Sequence, residues 1–229
     1  MKRLQLWQQL RSFLTYGQKL LTRHYQELLL LLLGVFFPLQ IFGELADNVW
    51  EQEGFAWDKP ILLNIYATAS PRLDSFAIAL TKLGVFWGVA PAAIVIGFIL
   101  LRQRHWRSLI YFCITLAGST FINVATKLFL GRPRPMLWES PAPELDYSFP
   151  SGHAMASMTL VAALVILLQG SRWQRPIAIV GGVFVLAIGW TRLYLGVHYP
   201  SDIVAGWMAS ITWAVGVALL VRPHPLFGS

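Results

Sequence analysis

The sequence predicts an all-α integral membrane protein, a six-helix bundle preceded by an amphipathic helix at the interface. Three observations lead there. Hydrophobic residues make up 56% of the 229-residue chain and charged residues only 13%, against about 25% charged in an average soluble domain. The apolar residues gather into long stretches, and roughly 20 residues at 1.5 Å each cross a ~30 Å hydrocarbon core. Backbone polar groups in lipid have no water to pair with, so such stretches become helices that satisfy their own N–H and C=O groups.

Residues 1–25 open the chain. Leu6, Trp7, Leu10, Phe13, Leu14, Leu20 and Leu21 recur there at helical spacing, with Lys2, Arg3, Arg11, Lys19 and Arg23 among them. A basic amphipathic helix of this kind rests in the membrane interface. Its apolar run starts late and no small-residue cleavage site follows, so a signal peptide is not expected. Residues 26–229 form one membrane domain with spans near 26–43, 75–101, 107–129, 152–170, 176–195 and 202–221. Ten tryptophans, many near span ends, suit an interfacial aromatic belt. The single cysteine, Cys113, has no internal disulfide partner and is expected to pack as a small buried hydrophobe. No C-x-x-C or His/Cys cluster suggests zinc.

Orientation follows from where the basic residues fall. With the N-terminus in the cytoplasm, 11 of the 18 lysines and arginines lie on the cytoplasmic side. They sit in the N-terminal segment, at Arg102, Arg104 and Arg107, at Arg172 and Arg175, and at Arg222. The opposite side holds six, and Lys82 lies within a span. The outer segment 44–74 also carries Glu44, Asp47, Glu51, Glu53, Asp58 and Asp74. Both termini are therefore expected in the cytoplasm. The formal charge of +7 is a topology signal and not a nucleic-acid footprint; the expected partner is the bilayer.

Three polar islands interrupt the apolar chain. The first runs from Lys127 to Arg134 and Pro135, the second is Pro150-Ser151-Gly152-His153, and the third holds Thr191, Arg192, His198 and Asp202. Each falls where a span ends or begins, and the topology puts all three on the non-cytoplasmic face. Phosphoryl transfer needs positive charge around three equatorial oxygens, an in-line nucleophile and a proton for the leaving oxygen. Lys127, Arg134 and Arg192 can supply the charge, arginine as a bidentate fork and lysine as a point charge. Gly131, Pro133 and Pro135 stop the third span, so the chain can turn Arg134 back toward Lys127. Ser151, Gly152 and His153 open the fourth span, where free N–H groups suit a phosphate. Ser151 either caps that helix or binds a phosphate oxygen, and Gly152 allows close approach. His198 and Asp202 are four residues apart. A helix beginning near Tyr199-Pro200 lets the aspartate hold one imidazole nitrogen and leaves the other free to attack.

This set and order, K-x6-RP, then PSGH, then a hydroxyl residue, R-x5-H-x3-D, resembles the type 2 phosphatidic acid phosphatase superfamily over roughly residues 70–215. Thr191 stands where that family has serine. The resemblance implies that His198 forms a phosphohistidine, that His153 protonates the leaving oxygen and then activates water, and that Asp202 orients His198. It assigns Lys127, Arg134, Arg192, Ser151 and Gly152 to the phosphate. The RP pair is doubled, and family spacing selects Arg134, leaving Arg132 as a cation that snorkels to the headgroups. No metal or other cofactor is expected. Glu139, Glu144 and Asp146 are expected to belong to a short solvated loop, 136–149, with no extra domain over the site.

The function expected is an integral membrane lipid phosphatase acting on a monoester or terminal diphosphate on the outer face. Phosphatidic acid, phosphatidylglycerol phosphate and undecaprenyl diphosphate are the candidate substrates. A phosphotransferase on the same site needs only a different acceptor. A transporter or binding protein for anionic lipid predicts charges within spans; here they sit at span ends, except Lys82. A vanadium-dependent haloperoxidase resembles the motifs but is soluble. The topology has a direct check. Cysteine placed at Ser140 in a Cys113→Ala background is expected to react with an impermeant thiol reagent in intact cells, and cysteine placed at Gln103 to stay unlabelled. The reverse pattern contradicts the orientation.

Overall fold

A computed structural model of the chain describes residue 25 and residues 27–226. The amphipathic segment expected over residues 1–25 lies, apart from Tyr25, outside the described residues. The described residues form helices α1 (Glu27–Trp50), α2 (Asp58–Tyr66), α3 (Pro71–Lys82) and α4 (Val89–Arg102). They continue with α5 (Trp106–Leu130), α6 (Gly152–Leu167), α7 (Gln174–Tyr194) and α8 (Pro200–Val221). The fold is all-α, as expected. Four helices, α1, α5, α7 and α8, are long and apolar enough to cross a membrane. Helices α4 and α6 are apolar but shorter, with 14 and 16 residues.

The stretch expected as one span over 75–101 breaks in two. Residues 83–88 contain Gly84 and Gly88, and the Val89 N–H closes a tight turn onto the Leu83 carbonyl at 3.0 Å. A Cβ on Gly88 would lie 2.3 Å from that same oxygen, so only glycine fits the break. Helix α1 runs past its expected end and carries a π-helical stretch, Leu32–Phe36. The cause is Pro38, which has no N–H and whose ring crowds the carbonyl four residues back. Widening the preceding turn relieves the crowding.

Helix α6 is the hub, packed against α5, α7 and α8. Leu160, Ala163 and Leu167 of α6 join Tyr111 and Phe112 of α5 and Val217 of α8 in the largest buried cluster. Helices approach closely where glycine allows it. A Cβ on Gly118 of α5 would sit 2.2 Å from the Trp213 ring, whose indole N–H donates to the Thr115 carbonyl at 3.1 Å. Small residues at helix contacts serve the same end in membrane bundles generally. Cys113 is not buried as expected. It lies on the exposed face of α5, beside the buried Phe112 but turned away from the core. Near the site, Tyr194 of α7 donates to Asp74 of α3 at 2.7 Å and accepts from the Ser70 N–H at 3.2 Å, which ties the two helices together.

Candidate active site

The islands meet at one end of the bundle, where α5 and α7 stop and α6 and α8 start. Gly131 ends α5 in a left-handed conformation, φ 59°, with its N–H on the Lys127 carbonyl. The chain then turns back, as its glycine and prolines predicted. The Arg134 guanidinium reaches the Val197 carbonyl at 2.7 Å and His198 Nε2 at 3.0 Å. Arg192, in the last turn of α7, is 1% exposed. It donates to Thr81 Oγ1 at 2.9 Å, and its Nε has no partner. The turn into α8 uses Gly196, at φ 68°, where a Cβ would lie 2.6 Å from the Trp138 indole.

Helix α8 starts at Pro200, so Asp202 falls in its first turn. Asp202 Oδ2 accepts from the Tyr199 N–H at 2.9 Å and faces His198 Nδ1 at 3.3 Å. Arginine has no acceptor. His198 Nε2 must therefore accept from Arg134, and the ring proton sits on Nδ1, donating to Asp202. Burial, and then the positive charges of Arg192 and Arg134, push the His198 pKa well below its ordinary 6.5. The imidazole is thus neutral near pH 7, with an unprotonated nitrogen facing the cations.

Ser151 is fully buried at the N-cap of α6. Its Oγ accepts from the Ala154 N–H at 3.5 Å, and its own N–H donates to the Asp202 carbonyl at 3.1 Å. Of the two expectations for Ser151, capping is the one this geometry satisfies. A Cβ on Gly152 would come within 3.2 Å of Asn123 Oδ1. Gly152 and His153 line a cavity of about 510 Å³ together with Lys127 and His198. Glu144 and Asp146 also line it; its remaining walls are mostly apolar, with Val85, Phe86, Val89, Leu116, Met155 and Ala156, but include the polar side chains of Ser119, Thr120, Asn123 and Thr159.

Two expectations are corrected here. Glu144 and Asp146 are not free in a solvated loop; Glu139 does stay exposed. One Glu144 carboxylate oxygen pairs with Arg192, and the other lies 2.7 Å from Arg134 and 3.9 Å from His198 Nε2. Asp146 pairs with both Lys127 and Arg134. Three cations crowded at low dielectric need counter-charge, and Glu144 and Asp146 supply it. Burial raises the Glu144 pKa, but Arg192, His198 and Arg134 outweigh it and hold it below 4.5. Burial likewise opposes the ionisation of Asp146, yet its hydrogen bonds to Lys127 and Arg134 bring it down to about 2. Arg132 does not snorkel. Its side chain is 10% exposed and bonds Asp202 Oδ1, Ser201 Oγ and Asp58 Oδ2. Asp58, Thr81 and Asn123 were not legible as site residues, because none stands at a fixed spacing from an island.

The family model of the PAP2 superfamily matches residues 108–224. The chain belongs to the PAP2 superfamily. It is 34% identical over 164 residues to a lipid A 4'-phosphatase of Bacteroides thetaiotaomicron, covering 65% of this chain and 70% of that one. It is 30% identical over 186 residues to an undecaprenyl-diphosphatase of Sulfolobus acidocaldarius, covering 79% and 82%. Its fold is similar to the crystal structure of a transmembrane PAP2 type phosphatidylglycerolphosphate phosphatase from Bacillus subtilis. That similarity has a TM-score of 0.70 at 22% identity, over 81% of this chain and 96% of that one.

The departure from the PAP2 pattern at Thr191 has a simple reason. Its Oγ1 donates to the Ile188 carbonyl at 2.7 Å within α7, a bond that a serine hydroxyl makes equally well. Lys127, Arg134 and Arg192, by contrast, are all held by the carboxylates of Glu144 and Asp146, with which an anion bound to these cations would compete. Glu144→Gln keeps the shape and removes the charge. Inhibition by vanadate or inorganic phosphate is expected to tighten about fivefold, the worth of a partly exposed ion pair of ~1 kcal/mol. Unchanged or weaker inhibition contradicts competition at this site.

Proposed function

We propose that this PAP2 chain is an integral membrane lipid phosphatase. It removes a phosphate monoester, or the terminal phosphate of a diphosphate, from an amphiphile whose tail stays in the bilayer. One observation carries the reading: Lys127, His153 and His198 line a largely apolar cavity between α4, α5 and α6, and Arg134 stands behind them, 3.0 Å from His198 Nε2. A charged end fits a phosphate and an apolar length fits an acyl or prenyl tail. Helices α4 and α6 complete a six-span bundle with the site on the outer face and both termini in the cytoplasm.

His198 Nε2 attacks phosphorus in line, and the bond from phosphorus to the lipid oxygen breaks as the N–P bond forms. His153 gives its proton to the departing oxygen, a contribution worth about 10²–10⁴ in rate. Asp202 holds the proton on Nδ1 and balances the positive charge that builds on the ring. In the second step His153 takes a proton from water, the water attacks the phosphohistidine, and inorganic phosphate leaves. Lys127, Arg134 and Arg192 neutralise the equatorial oxygens, with no metal required. Ser151 and Gly152 border the phosphate at the N-terminus of α6.

Purified protein is expected to release phosphate from micelles of phosphatidic acid, phosphatidylglycerol phosphate or undecaprenyl diphosphate, and a chelator is expected to leave the rate intact. No release from any of them, or loss of rate restored by magnesium, contradicts the proposal. The pH dependence is also set. His198 must be neutral to attack, and its pKa is depressed. The acid limb of kcat/KM, which reports the free enzyme, is therefore expected below pH 6.5. An acid limb above that value contradicts the assignment of His198.

A further inference from the structure

Asp202 is anchored from behind as well as from the front. Its Oδ2 serves His198 and the Tyr199 N–H, while its Oδ1 accepts from Arg132 Nη1 at 2.5 Å. That guanidinium is itself fixed. Nη1 also donates to Ser201 Oγ at 2.7 Å, and Nη2 donates to Asp58 Oδ2 at 2.8 Å. Asp58, 2% exposed on the first turn of α2, accepts from the Ser201 N–H at 2.9 Å and the Ser201 hydroxyl at 2.6 Å. The Tyr199 ring covers the guanidinium, 4.2 Å away. Two carboxylates thus share one largely buried arginine fork, and each oxygen of Asp202 has a separate task.

We propose that Asp58 and Arg132 are positioning residues for the phosphoryl transfer: they clamp Asp202 in the one rotation that meets the His198 Nδ1 proton and so aims the ring. The proposal rests on the reading of His198 as nucleophile. A buried carboxylate without a cation is costly, and an aspartate held through Oδ2 alone, by His198 and the Tyr199 N–H, can turn about its χ2 bond. The fork of Arg132 supplies the charge and, bonded on both sides, permits no rotation. Asp58 does for Arg132 what Arg132 does for Asp202. Without it Nη2 loses its partner, and the guanidinium is held through Nη1 alone, by Asp202 and Ser201. None of these groups faces the apolar cavity, so they act through His198 and not on substrate.

The test compares wild type, Asp58→Asn and Arg132→Lys in detergent micelles, with dioctanoyl phosphatidic acid as substrate. Asn keeps the shape of Asp58, and Lys keeps the charge of Arg132 without its fork. Rapid-quench phosphoenzyme formation is expected to fall about 10- to 100-fold, the usual effect of losing an outer hydrogen-bond partner. Vanadate inhibition is expected to stay at the wild-type value, since the phosphate cations are untouched. NMR of His198, read without substrate, is expected to show Nδ1–H in wild type and in both variants, because Arg134 still donates to Nε2, with the Nδ1 proton resonance moved upfield in the variants as the bond to Asp202 loosens. Variants that keep the wild-type Nδ1 proton resonance and rate overturn the clamp and leave the His198 reading standing. Variants that lose vanadate affinity together with rate show a general structural role and also overturn it. A wild-type His198 protonated on Nε2 overturns the clamp and the reading beneath it together.

Discussion

Every part of the site depends on how buried positive charge is answered. Lys127, Arg134, Arg192 and Arg132 lie at the end of an apolar bundle, where charges interact far more strongly than in water. Such cations persist only with partners. The structure gives them two different kinds. Arg132 is paired for good, with Asp58 and Asp202 on elements fixed by packing. Lys127, Arg134 and Arg192 are paired with Glu144 and Asp146, which sit on a surface loop. The first pairing holds Asp202, which faces His198. On the proposed reading the second is exchangeable, since a dianionic phosphate would offer the same cations more charge than a carboxylate does.

The loop that carries the exchangeable carboxylates is itself anchored. Ser140 donates to the Leu195 carbonyl at 2.5 Å, Trp138 stacks on Tyr66 at 4.3 Å, and the Ser148 N–H donates to the Arg132 carbonyl at 2.9 Å. Glu144 and Asp146 lie between the anchors at 140 and 148. A short segment can therefore shift its side chains without loss of the scaffold beneath it. Loops on rigid supports commonly carry this kind of duty.

What the sequence revealed depended on spacing. Lys127, Arg134, His153, Arg192, His198 and Asp202 were legible because their order and intervals resemble the family pattern, and only for the His198–Asp202 pair does the start of a helix also explain why an interval of four brings two side chains together. Gly131 and the prolines after it announced the end of α5. Four spans were legible from length and apolarity alone. The rest turned on contacts between segments far apart in the chain. Asp58 meets Ser201 across 143 residues and Arg132 across 74, and no interval in the sequence encodes that. Glu144 and Asp146 read as solvated because composition cannot show that a loop folds back onto cations. Arg132 read as a snorkelling side chain because its partners were invisible. The break at Gly88 was written in the sequence, but hydropathy averaged over a window passes across it.

In the proposed reaction His198 takes the phosphoryl, the cation cluster holds the oxygens and His153 handles the proton. Mapping the covalent intermediate tests it most directly. The enzyme would be quenched in alkali during turnover of a ³²P-labelled lipid phosphate, digested, and its labelled peptide sequenced. The account predicts an acid-labile, base-stable phosphoryl group on His198, absent from His198→Ala and still detectable in His153→Ala with a good leaving group. A label on His153, retained when His198 is replaced, would contradict it.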